Sequence, residues 1–64
     1  MYKNRMKEIR LNKGFTLEYV SYKSDVSVGY LCHLERGSRK NPSMQVMERI
    51  AWALESTVAD VFFS

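Results

Sequence analysis

The sequence predicts an all-α fold of five short helices and no sheet. Three observations carry that expectation. Apolar residues recur at helical spacing, as in Tyr2, Met6 and Ile9 and again in Met47, Ile50, Ala51 and Leu54. A hydroxyl residue able to cap a helix stands ahead of the last four helical runs, as Thr16, Ser27, Ser43 and Thr57. No stretch sustains the strict apolar–polar alternation of a half-buried strand.

Taken in order, the first helix carries Met6 and Ile9 and stops near "NKG", where Gly14 can close its C-terminus. Thr16 opens a second helix, "LEYVSYK", with Glu18 near its positive end. "SDVS" makes a tight turn, and Ser27 caps a third helix from Val28 to about Arg36. Gly37 ends it, and "SRKNP" is a loop whose residue before the proline is held extended. Ser43 caps the fourth helix, and Thr57 caps a last short one, "VADVFF".

Sixty-four residues are read as one domain. A chain of this size buries only about 60% of the surface its unfolded form exposes, so it depends on efficient helix packing or on a second copy. Its single cysteine cannot form an internal disulfide, and one cysteine with one histidine falls short of a structural zinc site. The start, "MYKNRMKEIR", lacks the apolar core of a signal peptide, and no run approaches a membrane span. A free thiol without a disulfide framework fits a reducing cytoplasm.

Net charge is +3, and its distribution is more informative than its size. Lys3, Arg5, Lys7, Arg10 and Lys13 face Glu8 alone in the first thirteen residues. Arg36, Arg39 and Lys40 form a second cluster, whereas Glu48, Glu55 and Asp60 outnumber Arg49 after Met44. One basic side suggests a polyanionic partner, although basic runs are commonly only solvated surface.

Cys32 and His33 are the sole cysteine and histidine, and they are adjacent. Neighbours on a helix diverge by about 100°, so thiol and imidazole do not face each other as nucleophile and base. No second histidine, carboxylate cluster or glycine-rich phosphate loop completes a catalytic or cofactor site, and the chain is not read as an enzyme. A solvated pair without a role is the plain alternative.

With Val28 at zero on the third helix, Leu31 and Leu34 fall near 300° and 240°, the buried side. Val28, Cys32, Arg36, Gly29 and His33 fall at about 0°, 40°, 80°, 100° and 140°, one arc opposite the core. A short helix presenting such a face fits a major groove about 12 Å wide.

At this point the chain resembles a known family. From about Met6 to Phe62 it is similar to the helix-turn-helix domain of the Cro/phage-repressor (XRE) superfamily, a lambda-repressor-like fold with its reading unit at helices two and three. "LERG" followed by "NPS", the "RIAWAL" helix and the closing "VF" carry the resemblance. It implies a DNA-binding domain over residues 1–64, with base readout by Val28, Gly29, Cys32 and His33. It implies phosphate contacts by Thr16, Ser27, Tyr30, Arg36, Ser38, Arg39, Lys40 and Asn41. Arg10 and Glu35 match a buried ion pair between the first and third helices.

The departures concern the reading unit and the last turn. Leu17 stands where a glutamine commonly braces the recognition helix against a phosphate. Asp25 replaces the usual turn glycine, and aspartate tolerates a left-handed backbone better than most residues. Ser21 replaces alanine and is still small. Val28 and Gly29 replace polar residues, so hydrogen-bonded readout there is thin. Valine can touch a thymine methyl and glycine permits close approach, which leaves specificity to His33, Arg36 and DNA shape. Glu55-Ser56 replaces a glycine–hydrophobic pair before the last helix.

Tyr19, Tyr22 and Tyr30 share no single stripe and are read as packing residues. Trp52, Val58, Val61, Phe62 and Phe63 make an apolar end; core burial is the plain alternative, but adjacent Phe62 and Phe63 cannot face the same way, and this end is expected to form the interface with a second copy. The expected function is a cytoplasmic, sequence-specific transcriptional regulator. It would bind a palindromic operator as a homodimer, repressing by occlusion or activating through contact with RNA polymerase. A protein-interaction module, such as an anti-repressor or antitoxin-like subunit, is the alternative.

Overall fold

The computed structural model describes residues 4–37 and 42–63. Among them are five helices and no strand: α1 (Met6–Asn12), α2 (Leu17–Ser24), α3 (Val28–Arg36), α4 (Met44–Ala53) and α5 (Val58–Phe62). Tyr2 and residues 38–41 lie outside the described residues.

The expected caps are present. Thr16 Oγ1 accepts from the Tyr19 backbone N–H at 3.0 Å, and Ser27 Oγ accepts from that of Tyr30 at 3.2 Å. Ser43 Oγ and Thr57 Oγ1 accept in the same way from Val46 and Asp60, at 3.3 and 3.0 Å. Each hydroxyl satisfies an N–H that its helix leaves without a partner. The start of α1 is held by a residue whose role the sequence did not disclose. Asn4 Oδ1 accepts from the Met6 N–H, and Asn4 Nδ2 donates to the Leu34 carbonyl, both at 2.9 Å. The Arg5 N–H donates to the Val61 carbonyl at 2.8 Å, so α1 begins tied to both α3 and α5.

α2 packs against α3 and α4, α4 against α5, and α1 against α3 and α5. Leu31, Ile50 and Val61 are fully buried at the centre, with Met6, Val20, Leu34 and Leu54 around them. Burying each aliphatic side chain of this kind contributes about 1.5–3 kcal/mol. The stripe Met47, Ile50, Ala51 and Leu54 faces this core throughout.

Two helix ends turn through non-glycine residues in left-handed backbone. Asp25, at φ 60°, closes α2, and its N–H donates to the Ser21 carbonyl at 2.9 Å. Val26, buried, then plugs the turn, while Ser24 Oγ accepts from the Val26 N–H at 3.3 Å. Glu55, at φ 57°, turns the chain after α4, where the resemblance expects glycine.

Candidate nucleic-acid interface

The three-residue turn Asp25–Ser27 holds α3 against α2, and α3 turns Leu31 and Leu34 inward. Its opposite side is less open than the helical angles suggest. Gly29 and Arg36 are exposed, but Val28, Cys32 and His33 are half-buried. α3 is in contact with both α1 and α2.

Thr16 and Ser27, both exposed, stand at the starts of α2 and α3. Each uses its oxygen as acceptor in the cap, so its O–H remains a donor available to a phosphate. Tyr30 is half-buried and packs against the core. Arg36 projects from the last turn of α3. Of the sites expected to hold phosphate, Ser38, Arg39, Lys40 and Asn41 lie outside the described residues.

Arg10 is committed elsewhere. Its Nε donates to Glu35 Oε2 at 2.7 Å and its Nη2 to Glu35 Oε1 at 3.2 Å, while Nη1 donates to the Phe15 carbonyl at 2.9 Å. The hydrogen bond with Glu35 is the chief cause that raises the guanidinium pKa further above its ordinary value, against the opposing effect of burial. The pair braces α3 from behind and leaves Arg10 unavailable to DNA.

Other expected placements change. Tyr22 is 83% exposed, and Tyr19 is also exposed, with its ring 4.7 Å from that of Phe15. Tyr22 lies outward because Leu17, Val20 and Ser24 occupy the inward face of α2, whereas Tyr19 packs its ring on Phe15, which itself lies against the core. Val61 and Phe62, expected to cover a second copy, are buried in the core of the chain itself. Val58 packs partly against that core, which leaves Trp52 and Phe63, 63% and 59% exposed, as open apolar surface. The Trp52 ring carries Lys23 Nζ 5.0 Å from its centroid, above a groove also lined by Gln45, Glu48 and Arg49. Leu17 packs against the core instead of reaching outward.

Among the described residues no group of three or more histidine, cysteine, aspartate or glutamate side chains is placed to hold a metal. None of their helices is long and apolar enough to cross a membrane.

Comparison with known proteins places this geometry. The helix-turn-helix family matches residues 6–61. The HTH-type transcriptional regulator SinR of Bacillus subtilis is 35% identical over 54 residues, 84% of this chain and 49% of its own length. The chain thus spans about half the length of that relative. The restriction-modification controller protein C.AhdI of Aeromonas hydrophila superposes with a TM-score of 0.81 at 30% identity, covering 88% of this chain and 83% of its own. SinR in complex with DNA superposes at 0.79 with 35% identity, over 84% and 86% of the two chains. With α2 and α3 arranged around a three-residue turn and the match running through all five helices, the chain belongs to the helix-turn-helix family of the Cro/C1 (XRE) type.

Proposed function

We propose that this chain is a sequence-specific double-stranded DNA-binding unit of a transcriptional regulator, acting as a repressor. Two copies would place α3 in successive major grooves of a palindromic operator, with half-sites about 34 Å apart. The observation that carries the reading is the outer side of α3. It ends in exposed Arg36 and begins at the exposed capping hydroxyl of Ser27, while Thr16 offers an exposed capping hydroxyl at the start of α2. Val28, Gly29, Cys32 and His33 lie between them, where base edges would be met.

In this arrangement Thr16, Ser27 and Arg36 set the register on the phosphates, joined by Ser38, Arg39, Lys40 and Asn41. Phosphate contacts position the protein, and contacts to base edges specify the site. Trp52 and Phe63, with the edge of Val58, would cover the second copy. The relatives support regulation as the role, since SinR is a transcriptional regulator and C.AhdI a controller protein.

Titration with duplex DNA at several salt concentrations tests the proposal. Log affinity should fall linearly with log salt as phosphate counterions are released. No binding at low salt, or no such slope, would instead favour a protein-interaction module that keeps the fold.

A further inference from the structure

On its side away from the core, α4 presents four exposed residues: Gln45, Glu48, Arg49 and Trp52. At about 100° per residue they form a lozenge opposite the buried stripe Met47, Ile50, Ala51 and Leu54. Gln45 and Trp52 lie within about 10° of its long axis, and Glu48 and Arg49 stand about 50° to either side. Among the described residues neither Glu48 nor Arg49 has an ion-pair partner. Tryptophan and arginine are residue types enriched at protein interfaces. Lys23 Nζ stands 5.0 Å from the Trp52 ring centroid, yet Trp52 is still mostly exposed.

Opposite charges on the two flanks make this face self-complementary in one orientation only. In a parallel pair the two-fold axis runs along the helices, and each flank sets Glu48 of one copy against Arg49 of the other. In an antiparallel pair the two-fold axis crosses the helices, and each flank sets like against like, Glu48 on Glu48 and Arg49 on Arg49. Flanking charges set helix orientation in this way in coiled coils, and like charges held opposite each other are unfavourable. On the centre line of the parallel pair Gln45 meets Gln45, whose amides both donate and accept, and Trp52 meets Trp52.

We propose that the outward face of α4 is the surface on which a second copy of this chain docks, with the two α4 helices parallel. The inference rests on the homodimer reading above and assigns that dimer its orientation. Chain direction favours the same orientation. Arg36 and residues 38–41, the proposed phosphate contacts, lead within a few residues into the N-terminal end of α4. Parallel helices bring that end of both copies to one side of the dimer, where a single duplex can meet them. Antiparallel helices send the two ends to opposite sides.

Sedimentation of the full chain tests the pairing, with circular dichroism to check the helical content of each variant. Glu48→Arg and Arg49→Glu each turn both attractive flanks into repulsive ones, and each should raise the dimer dissociation constant about tenfold. The exchanged variant, Glu48→Arg with Arg49→Glu, restores opposite charges on both flanks and should return to the wild-type value. An antiparallel pair gives no such loss, because each single variant still sets like against like. Single variants that sediment as the wild type does, or an exchanged variant that folds without recovering the dimer, overturn the parallel pairing while leaving the homodimer reading in place. A wild type that is strictly monomeric overturns the homodimer reading and this inference with it.

Discussion

Arg10 and Glu35, twenty-five residues apart, form a two-point ion pair with N–O distances of 2.7 and 3.2 Å and side chains only 11% and 6% exposed. The pair joins α1 to the last turn of α3, and through Nη1 it also holds the Phe15 carbonyl. Removing one partner leaves a buried charge without its counterpart. Arg10→Met should therefore cost about 3–5 kcal/mol in urea unfolding. Arg10→Met combined with Glu35→Leu should recover much of that loss, because no charge is then left stranded. A loss below about 1 kcal/mol for the single variant would show the pair to be worth no more than an exposed one.

Glu55 holds a left-handed backbone that costs a side-chain-bearing residue about 1–2 kcal/mol. Its contact with Lys13, 3.9 Å long and 65% exposed on the glutamate side, returns little of this. Glu55→Gly should raise stability by about 1 kcal/mol after the added freedom of the unfolded glycine is counted. Asp25→Gly should gain less, because aspartate enters that region more readily. Thermal unfolding of the two variants side by side checks the order.

Ser27 has two separable roles in the proposed complex. Ser27→Ala should cost about 1 kcal/mol of stability, and Ser27→Gly only a few tenths, because glycine is an acceptable N-cap. Both remove the hydroxyl offered to phosphate, so both should weaken DNA binding to a similar degree. If affinity followed stability instead, the hydroxyl would have no part in the contact.

Arg36→Ala should weaken all duplexes alike and flatten the salt slope by about one counterion. Lys40→Ala, outside the described residues, should do the same. His33→Ala should change the ranking of operators, and an unchanged ranking removes His33 from the readout set.

The apolar end now divides into two sets. Phe62→Ala should unfold the chain by about 3–5 kcal/mol, since the ring is in the core. Phe63→Ser and Trp52→Ser should leave unfolding nearly unchanged and shift sedimentation toward the monomer. A wild type that sediments strictly as a monomer would remove the proposed interface.

Much of the scaffold was legible before any coordinates. Thr16, Ser27, Ser43 and Thr57 announce their helices because capping is a local bond, reached within three residues. Leu31 and Leu34 fall inward because helical periodicity is also local. The roles of Asn4, Tyr22 and Phe62 were not legible in that way. Asn4 bonds a carbonyl thirty residues away, and Tyr22 is exposed because nearer side chains fill the inward face of α2. Phe62 and Phe63 are adjacent and chemically identical, so their burial depends on where α4 and α1 meet α5.

By itself, the sequence determined the five helices, the hydroxyl caps of the last four, the turn at Asp25 and the inward stripes of α3 and α4. These depend on interactions spanning no more than one or two helical turns. Only the tertiary structure decided which outward residues stay outward. Val28, Cys32 and His33 are half-buried, the core takes Val61 and Phe62, and Gly29 is left with open space where a side chain would fit. Burial is a property of neighbours distant in the chain, and periodicity specifies a direction without saying what stands there.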